Sequence, residues 1–240
     1  MTMATNFLTR VATILALTLA VTTFGSCTQQ HATTSQQTTE ENDNSTPTSS
    51  NQVAIKGSIS HDTWQGDATT SVEFDAFPAT ADEWKAAQEK IGTEPQGAVA
   101  LQVMAMELFR NNRSDGEQAL RLNNTQTNYN STVERLRELM GKDKYYARPY
   151  IAWALLEGAT PENEYKIKPP YTISMKVDPN KKYQESQMLN GTVIYLLIDS
   201  KGWDTNWRSV EVVKPQDSKY YVVSNCPAIY TQCKQAENNQ

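Results

Sequence analysis

Residues 171–214 read YTISMKVDPNKKYQESQMLNGTVIYLLIDSKGWDTNWRSVEVVK, and their alternation decides the fold. Apolar and polar side chains exchange places residue by residue over 171–177, 192–200 and 206–214. That is the two-residue period of a strand with one buried face. Shorter runs at 183–188 and 219–224 fit the same pattern. Asp178-Pro179-Asn180, Asn190-Gly191, Lys201-Gly202 and Pro215 to Ser218 supply turn residues between them. Connections this short force neighbouring strands to run antiparallel, so a meander of four to five strands is expected.

Upstream the period changes. Four S/T-x-x-E/Q capping boxes, at Thr80/Glu83, Thr93/Gln96, Ser114/Glu117 and Ser131/Glu134, stand ahead of apolar runs. In each, the hydroxyl can accept from a free amide of the first helical turn. They predict helices over 81–90, 94–111, 115–122 and 132–140. A fifth is expected over 149–157, with Pro149 in its first turn and Gly158 after it. Helix 94–111, EPQGAVALQVMAMELFRN, is apolar or small through its middle and is expected at the centre, with Met104 and Met106 as packing residues. Trp153, Leu155 and Leu156 read as core in the same way. Residues 53–59 and 71–77 alternate well enough to be two further strands. Helices ahead of strands predict an α+β domain over 53–240: a helical half of about five helices packed on a C-terminal antiparallel meander.

The chain before residue 53 has no globular pattern. Val11 to Phe24 is an apolar run of 14 residues. That is short for a membrane span, which needs ~20, and right for the core of a secretory signal. Residues 1–26 are therefore expected to be a signal peptide. Phe24-Gly25-Ser26-Cys27 resembles the lipobox of bacterial lipoproteins, with Phe24 where a leucine is usual; the alternative is an ordinary signal with an incidental cysteine. The resemblance implies lipidation of Cys27 and attachment to a membrane, and Thr28 after it points to the outer membrane, on either face. Residues 28–52 are almost wholly Thr, Gln, Ser, Asn and acidic, too polar to order by burial, and read with Cys27 as a tether. As a flexible coil it would span ~25 to 30 Å on average.

Cys226 and Cys233 follow the last strand as C-x6-C. In an oxidising compartment they are expected to form a disulfide worth ~2 kcal/mol; two free thiols or a redox pair are the alternatives. Cys27 is then the odd cysteine of three.

With 22 basic and 27 acidic side chains the net charge is −5. No basic stripe is present, which argues against nucleic acid. The only histidines are His31 and His61. Ser-His-Asp or Cys-His catalysis and His-ligated zinc therefore lack an imidazole beyond residue 61. No metal-ligand spacing, phosphate loop or dinucleotide fingerprint occurs, so no cofactor is expected.

Two stretches carry candidate chemistry. Ser200 to Arg208, SKGWDTNWR, interleaves Trp203 and Trp207 with Asp204 and Arg208, residue types that stack on sugar rings and pair with their hydroxyls. Trp207, at a strand start, could instead plug the core, and Asp204 and Arg208 could form a local ion pair. Asp143 to Tyr150, DKYYARPY, offers Arg148 among Tyr145, Tyr146 and Tyr150, either to hold an anion or to pack on the rings. Acid–base chemistry on a glycan would draw two carboxylates from Glu157, Glu164, Asp199, Asp204 and Glu211.

Residues 95–110, PQGAVALQVMAMELFR, together with 200–214, SKGWDTNWRSVEVVK, resemble a family of bacterial envelope and secreted proteins known as a domain of unknown function. The resemblance runs over roughly 72–224 and brings no functional residues. The expectation is a lipid-anchored envelope protein acting as a non-catalytic binding or interaction module, with a glycan or an envelope protein as partner. A carboxylate-dependent glycan enzyme and a structural envelope component are the alternatives.

Overall fold

Two strands open the described chain, four helices follow, and five more strands close it. The structure, a computed structural model, describes residues 52–143 and 145–237, which lie within one compact unit, Thr48–Gln240. The expected signal peptide, Cys27 and residues 28–51 of the tether lie outside the described residues. In chain order the elements are β1 (Val53–Lys56), β2 (Thr69–Phe74), α1 (Ala81–Ile91), α2 (Pro95–Asn111), α3 (Arg113–Asn123), α4 (Gln126–Leu139), β3 (Tyr171–Val177), β4 (Gln184–Ser186), β5 (Gly191–Asp199), β6 (Trp207–Val213) and β7 (Val222–Asn225). Short 3-10 turns lie at Trp153–Leu155 and Pro227–Ile229.

All strands pair antiparallel in one seven-stranded sheet of order β1-β2-β3-β5-β6-β7, with β4 on β5. This corrects the expected architecture of about five helices on a C-terminal meander of four to five strands. The extra strands are β1 and β2, which precede the helices yet join the sheet through β3 in the register Val72↔Ile173. Turn chemistry cannot report a pairing between strands that all four helices separate. The missing fifth helix is residues 149–157. There the Glu157 amide bonds to Thr172 O of β3 at 2.8 Å and Leu156 is extended. The sheet edge takes the donor that a helix would use, and a run this short has little helical stability of its own.

Of the four capping boxes one forms. Thr80 Oγ1 accepts from Glu83 N at 3.2 Å, while Glu83 reaches back to Ala79 N at 2.7 Å. The other helices start elsewhere. Glu94 precedes Pro95 at the head of α2, Asn112 caps α3 through Asp115 N, and α4 begins at Gln126, which leaves Ser131 in its interior.

Helix α2 is the centre, as its composition predicts, buried from Pro95 through Phe109 and in contact with α1, α3, β2, β6 and β7. Of its three buried polar residues, Gln96, Gln102 and Glu107, the last two are answered by side chains. Gln102 Oε1 accepts from Asn124 Nδ2 at 2.8 Å and Asn123 Nδ2 at 3.2 Å, and Glu107 pairs with Arg110. Gly116 lets α3 cross at backbone contact: a Cβ there would stand 2.1 Å from Phe109 Cα.

Candidate functional site

Between η-type turn Trp153–Leu155 and strand β3 the chain folds a tight loop that serves as the wall of a groove. Thr160 N donates to Asn163 Oδ1 at 2.9 Å, Asn163 N to Thr160 Oγ1 at 3.3 Å, and Asn163 Nδ2 to Gly158 O at 2.8 Å. This reciprocal ring, with Tyr165 N on Thr160 O and Lys166 N on Asn163 O, forces Glu164 and Tyr165 into the left-handed region at φ 55° and 58°. Two successive non-glycine residues there are held against a conformational preference, which requires surroundings that over-determine them. The result turns the Tyr165 ring inward and leaves the Glu164–Lys166 ion pair on the rim.

Tyr165 stacks on Tyr150, with ring centroids 4.9 Å apart and planes 18° from parallel. Trp153 and Ile167 complete a groove of about 340 Å³. Trp153 also leans on Phe77 and Tyr171 at centroid distances of 5.1 and 5.3 Å. Both phenols are tied to the carboxyl-terminal segment. Tyr165 Oη donates to Lys234 O at 3.1 Å, and Tyr150 Oη accepts from Ala236 N at 3.1 Å. Burial pushes both phenols above the usual tyrosine range, so each stays a protonated donor. With the phenols engaged and Glu164 ion-paired, the groove offers apolar ring surface and a polar rim rather than a general acid or base.

The stretch SKGWDTNWR lies behind this groove as a clasp. Ser200 Oγ donates to Ala154 O, and Gly202 faces Tyr165 so closely that a Cβ would meet Ala154 Cβ at 3.0 Å and Tyr165 Cε1 at 3.2 Å. Trp203 is 2% exposed and donates from Nε1 to Thr231 O at 2.6 Å. Arg208 Nε donates to Ala228 O at 2.8 Å, and its guanidinium carbon stands 5.4 Å from the Trp203 ring centroid. Asp204 is an exposed partner of Lys234, at 3.2 Å. Trp207 lies apart from the other three, on the opposite face of the sheet, 38% exposed and covered by Lys176 Nζ at 4.0 Å from its ring centroid. The four residues named from sequence thus divide between a clasp that holds the carboxyl-terminal strap, residues 226–237, and a lone surface ring.

Arg148 belongs to the clasp as well. It donates to three backbone carbonyls, Cys233 O at 2.8 Å, Ala147 O at 2.8 Å and Tyr145 O at 3.1 Å. These bonds to backbone carbonyls are a role other than the two weighed for it.

Cys226 and Cys233 are free, buried thiols, which corrects the expected disulfide. They face different surroundings. Cys226 Sγ lies in a polar nest, 3.4 Å from Asn128 Nδ2 and 3.9 Å from Thr132 Oγ1, whereas Cys233 Sγ lies 3.9 Å from Tyr165 Oη. The turn Pro227–Ile229 lies between them in the chain. Burial raises both thiols, Cys233 up to about 12.

The five carboxylates considered for acid–base work each meet a different partner: Glu157 accepts from Ser174 Oγ, Glu164 pairs with Lys166, Asp199 with Lys201, Asp204 with Lys234 and Glu211 with Lys181. His61 sits beside Asp62, Nε2 to Oδ1 at 2.9 Å, on a separate polar groove with Glu185 and Lys214. Among the described residues no cluster of three metal-ligating side chains forms, and no helix is long and apolar enough to cross a membrane.

Trp153, Tyr165 and Ile167 were missed as groove residues by sequence reasoning, which put Trp153 in the core. A signal existed in Asn163 to Pro170, NEYKIKPP, where Tyr165 and Ile167 alternate with charges before a double proline.

The chain belongs to the family described as domain of unknown function DUF6935, whose match covers residues 76–237. No curated protein and no solved structure matches it.

Proposed function

We propose that this domain of unknown function is a non-catalytic binding module that takes a glycan in the groove of Tyr150, Trp153, Tyr165 and Ile167. Lipid on Cys27 holds it at the cell envelope, and the polar stretch 28–52 sets it off from the bilayer. The observation that carries the reading is the strained loop that packs the buried Tyr165 ring behind Tyr150 and so fixes the half-buried rings of Tyr150 and Trp153 at the groove. An aromatic wall held rigid before the ligand arrives reduces the ordering cost of binding. Ring faces of Trp153 and Tyr150, both half-buried, suit the C–H surface of a pyranose, while the Glu164–Lys166 rim can meet its hydroxyls. The anchor rests on the short apolar run and on Gly25-Ser26-Cys27. Two or three acyl chains at ~0.8 kcal/mol per buried CH₂ give stable attachment. A hydrolase would need two carboxylates ~5 to 9 Å apart across a cleft, and the five considered meet five separate partners.

The test is a glycan array probed with the intact chain and with Trp153→Ala. Binding to at least one neutral glycan is expected, weakened at least tenfold by the substitution, because loss of one stacking ring is worth roughly 1.5 kcal/mol. Silence across the array, or equal signal from Trp153→Ala, would overturn the reading.

A further inference from the structure

The outer face of the sheet holds a second feature that does not depend on the aromatic groove. Along β2 and β3 the residues Thr70, Val72, Ile173 and Met175 turn inward and are buried, so Thr69, Ser71, Ser174 and Lys176 stand on the opposite face. The register brings them side by side, Thr69 opposite Lys176 and Ser71 opposite Ser174. Lys56 of β1 pairs with Ser71 and extends the row. From β6, Trp207 reaches the same face and closes a trough of about 460 Å³.

Three properties separate this trough from an ordinary solvated sheet face. Trp207 keeps 38% of its surface exposed, where a tryptophan on a strand is usually packed away. Lys176 Nζ lies 4.0 Å from that ring and has no carboxylate partner among the described residues. The hydroxyls of Thr69 and Ser71 likewise make no hydrogen bond among the described residues. Of the carboxylates on this face Glu73 pairs with Lys56 and Glu157 accepts from Ser174, while Asp199, opposite Trp207 in the register, stands 3.7 Å from Lys201 Nζ without a hydrogen bond from it.

We propose that this trough is a binding site for an acidic sugar, a uronate residue of a polysaccharide, with Trp207 as the stacking platform and Lys176 as the partner of the carboxylate. An ammonium ion resting on an aromatic face is held weakly when exposed, and a carboxylate forms a shorter, charge-assisted bond with it. As Lys176 turns to that carboxylate it uncovers the ring for the C–H face of the same pyranose. Thr69 and Ser71 are placed to meet the sugar hydroxyls. A neutral sugar would leave the ammonium where it is, over the ring, and compete with it. In a chain of net charge −5 an anionic ligand has no general attraction to the surface, so selectivity must come from this local cation.

The experiment titrates the intact chain with trimers of galacturonic acid and of mannuronic acid, and with neutral galactose and mannose trimers, followed by calorimetry and tryptophan fluorescence. The expected result is saturable binding of at least one uronate trimer and markedly weaker binding of its neutral counterpart. Lys176→Gln should lower uronate affinity about tenfold and remove its dependence on salt, and Trp207→Ala should lower it at least as far, since a charge-assisted bond and a stacked ring are each worth about that factor. Both positions are at the surface, so both variants fold. Trp153→Ala should bind uronate as the parent does, which separates this site from the aromatic groove. No binding of either uronate trimer, equal binding of acidic and neutral trimers, or insensitivity to both Lys176→Gln and Trp207→Ala would overturn the proposal.

Discussion

Trp203→Ala is the sharpest test of the clasp. The side chain is 2% exposed, so truncation removes a core tryptophan, which typically costs ~3 to 5 kcal/mol. It also removes the Nε1 bond to Thr231 O and leaves that carbonyl short of a donor, for about 1 kcal/mol more. Together these give roughly 4 to 6 kcal/mol, and a domain of this size shifts by ~2 to 4 °C per kcal/mol, so Tm should fall by about 8 to 24 °C. Trp207→Ala is the matched control. It gives up an exposed ring and the Lys176 contact, about 1 kcal/mol at most, and Tm should move by no more than ~4 °C. Thermal unfolding followed by circular dichroism reads both. Trp203→Phe should fall between them, since it keeps most of the buried ring and loses the donor. If Trp203→Ala melts within 4 °C of the parent, or Trp207→Ala falls as far as it does, the division of the two tryptophans between clasp and surface is wrong.

Other expectations are simpler to read. Cys226 and Cys233 should resist alkylation in the native protein and both react once it is unfolded; a denatured, unreduced chain lacking two of these thiols would mean they are bridged after all. Burial holds the Cys233 thiol at about 12 against an ordinary value near 9, and Tyr183 is raised to about 12 by the same cause. Groups raised in the folded state favour folding below their unfolded values and lose that contribution as pH climbs toward the folded ones. Urea midpoints should therefore fall between about pH 9 and 12, less steeply in Cys233→Ala; a parallel decline in parent and variant would remove Cys233 as a source. Gly116→Ala should destabilise by about 2 kcal/mol or more, because its Cβ would stand 2.1 Å from Phe109 Cα and helices α2 and α3 would have to part. Labelled fatty acid should enter the intact chain and not Cys27→Ser, and equal incorporation would dismiss the anchor.

What could be read from the sequence was local, and what could not was a matter of which distant segments meet. The alternation in Tyr171–Val177 marks β3 to the residue, because one face of that strand is buried and the other is not. The same logic finds the burial of α2, whose run of small and apolar side chains has no polar face to show. Capping boxes misled in three places of four, since Ser131 sits inside α4 and Asn112 and Glu94 head their helices instead. A short polar motif recurs by chance, and only the fold decides which copy meets a free amide. The joining of β2 to β3 and the strap contacts of Tyr150 and Tyr165 are tertiary, with no trace in spacing.

The two readings open to SKGWDTNWR have a common physical cause that bears on the groove itself. Aromatic rings beside arginine and amide groups are suited to any partner that offers apolar surface together with carbonyl or hydroxyl acceptors. A sugar is one such partner, and an irregular stretch of the protein's own backbone is another. Residues 226–237 contain no strand and must satisfy their carbonyls individually. Trp203 answers Thr231, Arg208 answers Ala228, Arg148 answers Cys233 and Tyr165 answers Lys234. Side chains that look ready for a ligand are therefore occupied by the chain that follows them. The strap in turn holds Tyr150 and Tyr165 by their hydroxyls and, among the described residues, leaves Trp153 and Ile167 beside them with no segment laid across. The groove is the part of this aromatic cluster that the backbone of the described residues does not cover, and for that reason ligand-directed substitutions belong at Trp153, whereas those at Trp203 and Arg208 test folding.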